Sequence, residues 1–396
     1  MRQPLIFGWT LWWALPLVAQ TEGTVTREGR YWVQALEASM QTAGAPNRLR
    51  VNSVGPIAVR GDGGDQIRYT VRKRVRAGSE AEARRLLARA QVRASRQGST
   101  YVLSVDPLDC ARCSFSADVK MTTPRATAET ILETHGGGLE VYDVDGKVIA
   151  ETAGGSIQMD RIGRSVRAAT AGGQILLGAI GGPVHCETAG GTIKLGSVRG
   201  DASLTTSGGD IDAEQVDGAL RAQTAGGSIR VRRVTHNVIA ETAGGSIYLG
   251  QIGGSVSAET AGGSITVEKA PLGVRAENAS GSIRLMDVAG ALRAATAAGN
   301  IVAYLMANQP LQNSMLETSM GTIEVLIPQD LKLTIRADIE AASSANRIQC
   351  DFPDINIRMQ EQGPGTRVLI AEGAINGGGP MLRLRNTTGV IRILRR

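Results

Sequence analysis

The amino-acid sequence predicts an all-β protein, a right-handed parallel β-solenoid with coils of about 18 residues, a small α+β N-terminal cap and a β-rich C-terminal cap. Three observations predict it: a short phrase returns at a fixed spacing, aliphatic side chains alternate within each period, and glycine makes up 50 of 396 residues. The right-handed turn follows because parallel crossover connections almost always have that hand.

The repeated phrase has the form Thr-Ala-Gly-Gly-Ser-Ile. Its first residue returns every 18 positions at Thr152, Thr170, Thr188, Thr206, Thr224, Thr242 and Thr260, and looser copies keep the step at Thr134, Asn278 and Thr296. Between the phrases, aliphatic residues alternate, as in Ile247-x-Leu249 and Val256-x-Ala258. A period of two indicates strands with one face inside. We therefore predict two strands and two turns in each coil, with each coil bonded to its neighbours.

The second glycine of the phrase marks the predicted tight corner. It is present in every copy, including Gly155, Gly173, Gly191, Gly209, Gly227, Gly245, Gly263 and Gly281. Such a position needs either a positive φ or a close approach of another backbone. The preceding threonines are expected to point inward and to bond to the next coil, with Asn278 continuing the ladder.

The predicted division of the chain follows these patterns. It comprises a signal peptide at 1–19, a leader at 20–46, an α+β cap at 47–125, the solenoid at 126–304, an insertion loop at 305–317, and a C-terminal β continuation and cap at 318–396. The insertion is inferred because the next copy of the phrase begins at Thr318, 22 residues after Thr296. The closing stretch at 375–394 is expected to be either a degenerate coil or the far cap.

The first 19 residues combine an early Arg2 with an apolar run that is shorter than the ~20 residues of a membrane span. Cleavage near Ala19 is favoured over a retained anchor, which would make the mature chain extracytoplasmic: periplasmic, secreted or on the cell surface. Cleavage lowers the net charge from +6 to +5, because Arg2 is the one charged residue removed. So mild a charge on an exported chain argues against nucleic acid as a partner.

Between the leader and the solenoid, the pattern predicts strands at 49–54, 57–60, 67–76, 92–96 and 101–106. Residues 79–90 have a serine N-cap, early acids and late arginines, which predicts a helix. A shorter helix is predicted at 31–40. This unit is expected to cover the open end of the solenoid, where unpaired strand edges and an apolar cross-section would otherwise be exposed.

Cys110 and Cys113 form a Cys-x-x-Cys pair, for which three interpretations exist. A haem site would need histidine at position 114, which is Ser114, and zinc would need a second pair of ligands. A local disulfide is favoured over a redox-active pair in an exported chain. Cys186 takes a small inward position and is expected to be buried.

The strands at 49–75 with the following helix, the Thr-x-Gly-Gly-x-Ile coils and the closing Ile375-Asn-Gly-Gly-Gly-Pro-Met-Leu-Arg-Leu-Arg385 run resemble the bacterial β-strand-repeat family of unknown function labelled "putative adhesin". The resemblance covers roughly residues 47–396. It implies a solenoid and an adhesin role, and it supplies no catalytic residues. Cys110 and Cys113 are not part of the family's pattern.

The function expected from these features is a non-enzymatic adhesin-like scaffold or binding protein of the surface or envelope, with a glycan or a protein as ligand and an oligomeric state that the sequence leaves open. The alternative is a polysaccharide-acting enzyme on a parallel β-helix. Its best acidic group is Asp201, Asp210, Asp212, Glu214 and Asp217. The three histidines, His135, His185 and His236, lie in different coils, and no paired acid is expected for them.

No catalytic, cofactor-binding or metal site is predicted. Calcium loading, as in Gly-rich β-rolls, would require Asp at every turn, and Asp210 alone matches that position. Glu241, Glu259 and Glu277 form a short row that could bind a cation weakly. Arg275 is expected to offset the charge of Glu277 instead.

Overall fold

A computed structural model describes residues 18–42, 44–108, 114–340, 347–363 and 366–396. The predicted signal peptide falls almost entirely on residues 1–17, and Cys110 and Cys113 also lie outside the described residues.

The chain folds as the predicted β-solenoid, with two parallel strands in each 18-residue coil. The strands of the regular coils are β10 Glu129–Thr134, β11 Leu139–Val144, β12 Lys147–Thr152, β13 Ile157–Ile162, β14 Val166–Thr170, β15 Ile175–Ile180, β16 Val184–Thr188, β17 Ile193–Val198, β18 Ala202–Thr206, β19 Ile211–Val216, β20 Leu220–Thr224, β21 Ile229–Val234, β22 Val238–Thr242, β23 Ile247–Ile252, β24 Val256–Thr260, β25 Ile265–Lys269, β26 Val274–Ser280, β27 Ile283–Val288, β28 Leu292–Ala298 and β29 Ile301–Leu305. Even-numbered strands pair in parallel with even-numbered ones and odd with odd, as in Thr242↔Thr260 and Ile247↔Ile265. We call the even set the threonine sheet and the odd set the isoleucine sheet.

The hydrophobic core fills the space between the two sheets. In the coil that begins at Val238, the inward residues Val238, Ala240, Ile247 and Leu249 are all at most 1% exposed. The pattern repeats in every regular coil because alternate side chains of a strand point to opposite faces, and parallel pairing in register places identical positions above one another. The result is a continuous aliphatic core along the whole stack.

Each corner after the threonine sheet is stabilised by one threonine hydroxyl. Thr242 Oγ1 donates to the carbonyl of Gly227 in the preceding coil at 2.8 Å and accepts from the amide of Gly245 at 3.2 Å. The same pair of bonds recurs from Thr152 to Thr260. Asn278 continues the ladder by donating to Gly263 O at 2.5 Å, as predicted. The buried hydroxyl therefore satisfies groups of two coils at once.

The second glycine of each phrase lies where two corners touch. A Cβ built on Gly245 would overlap the carbonyl of Gly227 and come within 2.7 Å of Ser228 N, whereas a Cβ on Gly244 would meet its nearest atom at an ordinary 3.5 Å. The same overlap occurs at all eight glycines named above. Among these eight, only Gly281 has a positive φ, of 156°. Close stacking is therefore the reason for glycine at this corner.

In the part of the N-terminal region that the structure describes, there are nine strands and the helix α1. They are β1 Val18–Glu22, β2 Thr26–Glu28, β3 Tyr31–Gln41, β4 Arg48–Ser53, β5 Ile57–Asp62, β6 Gln66–Val75, α1 Glu80–Arg89, β7 Val92–Gln97, β8 Thr100–Val105 and β9 Phe115–Pro124. The helix confirms the sequence-based prediction: Ser79 is its N-cap and accepts from Glu82 N at 3.3 Å. At the C-terminal end of the helix, Lys73 Nζ donates to the carbonyls of Leu87 and Ala90.

The helix predicted at 31–40 is wrong, because this segment is the strand β3. It pairs antiparallel with β6 along its whole length, from Trp32↔Val75 to Gln41↔Gln66. Its buried residues include Val33, Leu36 and Met40, whose spacing of three and four mimics a helical face. In a strand, Val33 and Leu36 point to opposite faces, and both are covered. Long-range pairing has thus overridden a local pattern.

At the N-terminal end, one coil lies out of chain order. β4 and β5 form a coil that pairs with β10 and β11 on one side. On the other side it pairs in parallel with β8 and β9, which come later in the chain. The segment at 48–62 is therefore enclosed between two coils that follow it in sequence. Beyond β8 and β9, the antiparallel partners β7 and β6 extend the two sheets.

The C-terminal region repeats this arrangement. Its strands are β30 Ser314–Ile327, β31 Leu333–Ile339, β32 Arg347–Cys350, β33 Asn356–Gly363, β34 Thr366–Ile375 and β35 Met381–Arg395. The predicted shift in spacing is confirmed by the pair Thr296↔Thr318. The connecting loop ends before β30 begins at Ser314.

The closing strand β35 is a coil of the stack, the first of the two alternatives predicted. It pairs in parallel with β30 over both sheets, from Ser314↔Leu382 to Ile327↔Arg395. Its other edge pairs with β31 and β32. It thus separates two segments that are consecutive in the chain, as β4 and β5 do at the other end. The threonine ladder continues here through Asn386, which donates to Gly321 O at 2.9 Å.

Candidate binding groove

A groove follows the corner edge of the threonine sheet along the stack. Each coil contributes three residues to it: the repeat threonine or its equivalent, the residue before it and the residue after it. The groove extends from the coil of Ser53 to the coil of Thr318, and Ser104 to Pro107 close its N-terminal end. At a spacing of about 4.8 Å per coil, it is roughly 50 Å long. We call it the threonine groove.

The inside-outside alternation of the strand explains the shape of this groove. The repeat threonine points inward, so the residues on either side of it point outward and form two walls. One wall consists mostly of alanine methyl groups, as at Ala225, Ala243 and Ala261. The threonine between the walls is at most 7% exposed, and its hydroxyl is used within the corner. The threonines are therefore structural and leave ligand contacts to the walls.

The other wall is rich in carboxylates. Its residues, in order of the coils, are Asn52, Glu133, Glu151, Ala169, Glu187, Thr205, Gln223, Glu241, Glu259, Glu277, Ala295 and Glu317. Stacked like charges repel one another, and neighbouring cations offset most of them. This wall is therefore a row of carboxylates whose charge is partly neutralised by neighbouring basic side chains.

The row of Glu241, Glu259 and Glu277 shows how the offset works. Glu277 pairs with Arg275 at 2.8 Å, as predicted, and with Arg293 at 3.5 Å. Glu241 accepts from Gln223 Nε2 at 2.6 Å and lies 3.4 Å from Arg221. Glu259 has no hydrogen-bond or ion-pair partner among the described residues. Among the described residues, no three His, Cys, Asp or Glu side chains are grouped in a way that could hold a metal ion.

The prediction that no histidine has a paired acid is wrong for His185. Its Nε2 lies 2.8 Å from Glu187 Oε1, two residues along the same strand face. The period-two spacing could have revealed this pair in the sequence, because residues i and i+2 of a strand point to the same side. Glu187 forms part of the carboxylate wall of the groove.

The acidic group proposed for the enzyme alternative is engaged locally. Asp201 and Asp210 each accept from a backbone amide of the next coil, at 2.8 and 2.7 Å. Asp212 and Glu214 pair with arginines one coil away, at 3.9 and 3.2 Å. Asp217 accepts from Gln215 at 2.9 Å. The first four of these carboxylates therefore bind neighbouring coils together, and Asp217 is held within its own coil.

A separate charge cluster occupies the isoleucine sheet near its N-terminal end. Asp143 and Arg161 occupy equivalent positions in successive coils and both have left-handed backbones, with φ of 62° and 54°. Arg161 donates to Asp143 at 2.6 and 3.1 Å, and Arg60 donates to it at 3.4 Å. These hydrogen bonds, led by that of Arg161, lower the pKa of Asp143 to about 2. The cluster therefore holds two irregular strand positions in register.

The buried thiol of Cys186 takes the predicted inward position and is 0% exposed. Burial raises its pKa, so the thiolate is disfavoured and the side chain packs as a small hydrophobe. No helix in the described parts of the chain combines the length and apolar character that a membrane crossing requires.

The solved structures that are similar to this chain include two bacterial proteins. No protein-family model matches the chain, and no curated protein matches it. One similar structure is described as a "putative adhesin" from Bacteroides fragilis, at 18% identity and a TM-score of 0.34, over 58% of this chain and 95% of that one. The other is described as a "putative cell adhesion protein" from Clostridium sporogenes, at 8% identity and a TM-score of 0.18, over 96% of this chain and 100% of that one. The first carries the same label as the family that the sequence resembles. At these TM-scores, neither similarity bears on what the chain binds.

Proposed function

We propose that the chain is an exported, non-enzymatic, adhesin-like binding protein or scaffold of the surface or envelope. In this proposal the threonine groove holds an extended polymer, a glycan or a protein segment, that lies along the stack. The observation that supports it is the continuity of the groove, which keeps one methyl wall and one polar wall from coil to coil. A linear ligand can make the same contact repeatedly on such a surface, so many weak contacts add up to useful affinity.

The wall chemistry suits an extended, hydroxyl-rich or amide-rich chain. Carboxylates accept hydrogen bonds and guanidinium groups donate them, and the groove wall offers carboxylates with arginines beside them, as at Glu277 and Arg275. The opposite wall leaves room for the ligand because its side chains are small. The polysaccharide-acting alternative would instead release shortened products.

The experiment is an array of glycans and envelope proteins, probed with the full chain and with two tryptophan variants. Ala243→Trp fills the groove at an exposed wall position, and Gln158→Trp places the same side chain at an exposed position of the isoleucine sheet. We expect a ligand that is lost with Ala243→Trp and retained with Gln158→Trp. The proposal fails if no ligand binds, or if both variants bind it equally. Release of shortened glycan would favour the enzyme instead.

A further inference from the structure

A small cavity on the outer face of the threonine sheet, near its C-terminal end, is lined by two arginines. Arg293, Met315 and Arg383 occupy one outward position on three successive coils, and Arg336 occupies it on the next. Neighbouring coils are about 4.8 Å apart, so the long side chains of Arg293 and Arg383 can reach across Met315. Both arginines line the cavity, together with Asn313, Thr334 and Met381.

Arg383 has no anionic partner in the described parts of the chain. It is half-buried, and its Nε is shielded from solvent without any hydrogen-bond acceptor. Arg385, two residues away on the same face, lies within 4 Å of three carboxylates: Glu317 at 3.8 Å, Asp338 at 3.5 Å and Glu340 at 3.7 Å. Arg385 Nε also lacks a hydrogen bond, but these acids offset the charge of Arg385, whereas Arg383 has no ion pair among the described residues.

An unpaired, partly buried guanidinium is costly in a folded protein. The Nε donor of Arg383 loses water without gaining an acceptor, and the similar charge of Arg336 on the next coil adds repulsion. Arg336 is exposed and has no ion pair among the described residues, while Arg293 keeps a 3.5 Å pair with Glu277. An anion bound between Arg293 and Arg383 would relieve this cost.

The uncharged groups around the cavity also present donors. Asn313 Oδ1 accepts from Met381 N at 2.9 Å, which leaves its amide NH₂ group available. Thr334 Oγ1 donates to Gly379 O at 3.1 Å, and Ser314 Oγ donates to Gln312 O while accepting from Leu292 N. The side-chain groups left for a ligand are therefore NH donors. Met315 and Met381 form an apolar shoulder beside them.

We propose that this cavity binds an oxyanion, a carboxylate or sulfate group, between Arg383 and Arg293. Arg383 supplies the two parallel N–H donors that match an oxyanion. Arg293 supplies the second positive charge, and the Asn313 amide supplies a neutral donor. The methionine shoulder covers the carbon skeleton when the group is carried by an acidic sugar. This site is separate from the threonine groove and does not depend on the function proposed for it.

The test is isothermal titration of the full chain with two probes, sodium sulfate and a trimer of galacturonic acid. Arg383→Gln removes the central cation. Arg167→Gln is the matched control, because Arg167 occupies the same position in an earlier coil, is exposed and has no ion pair among the described residues. We expect Arg383→Gln to weaken binding about tenfold or more and Arg167→Gln to leave it nearly unchanged. Arg383→Lys should fall between them, because it keeps the charge but loses the paired donors.

Binding of sulfate alone would identify a site for free anions, and tighter binding of the trimer would identify a site for acidic sugars. Both results support the proposal. It is overturned if neither probe binds at millimolar concentration, or if the two glutamine variants weaken binding equally, since the effect would then be one of net charge. Circular dichroism of each variant verifies that the coils are intact. Because the groove variants leave this cavity untouched, failure here and failure of the groove proposal are distinguishable.

Discussion

Replacing the inner glycine of one corner tests the close stacking that defines the fold. In Gly245→Ala, the new Cβ would overlap the Gly227 carbonyl and lie 2.7 Å from Ser228 N, so the two coils must move apart. Such overpacking costs about 1–3 kcal/mol. The movement also weakens the 2.8 Å bond from Thr242 to Gly227 O, which adds about 1 kcal/mol. We expect a loss of roughly 2–4 kcal/mol in the free energy of unfolding.

Gly244→Ala is the control, because its Cβ would lie 3.5 Å from the nearest atom, an ordinary van der Waals contact, and the φ of Gly244 lies outside the left-handed region. This substitution should change the free energy of unfolding by less than about 1 kcal/mol, in either direction. Urea denaturation followed by far-UV circular dichroism measures both variants. Hydrogen exchange in β22 and β23 localises the damage, because a repeat stack can open in one part alone. Equal effects of the two alanines would refute the account of the corner.

Three further perturbations test individual interactions. Thr242→Val should lower the free energy of unfolding by about 1–3 kcal/mol, measured in urea, because it leaves a buried carbonyl without a donor, whereas Thr242→Ser should cost less. The folded-state pKa of Asp143 is lowered to about 2, so the stability that its charge contributes should be complete above about pH 4 and should disappear on titration towards pH 2. Asp143→Asn should lack this part of the acid transition. If the variant and the original chain show the same dependence of stability on pH, the role of Arg161 is contradicted. Burial lowers the pKa of Lys73, so the unfolded state binds more protons than the folded state at alkaline pH, and stability should rise with pH there. Thermal melts of Lys73→Met should show no such rise. A rise that persists in this variant would belong to another group.

The regular coils could be predicted from sequence because every determinant is local and repeated. Ile247 and Leu249 reveal the strand, Gly245 reveals the close corner, and the step from Thr242 to Thr260 fixes the register. Parallel stacking follows, because identical coils bury their aliphatic faces only against one another. The observed pairing Thr242↔Thr260 confirms this reasoning.

The ends of the stack could not be predicted in the same way, because long-range pairing decides them. The aliphatic pattern of β35 resembles that of a regular coil, but nothing local shows that it inserts between β30 and β31. The strand at 31–41 looked helical because its pairing with β6 is invisible in the sequence. Arg383 likewise becomes a candidate anion-binding residue only when the partners of Arg385 are known.

The out-of-order coils affect the sequence of events during synthesis. Regular coils can be added one at a time as the chain emerges, since each pairs with the coil made just before it. The slot between β30 and β31, in contrast, stays open until residues 381–395 have been made. A chain truncated before residue 381 would expose two facing strand edges, each able to template pairing with another molecule. Premature termination near the end should therefore yield insoluble protein, although nearly all of the coils are complete.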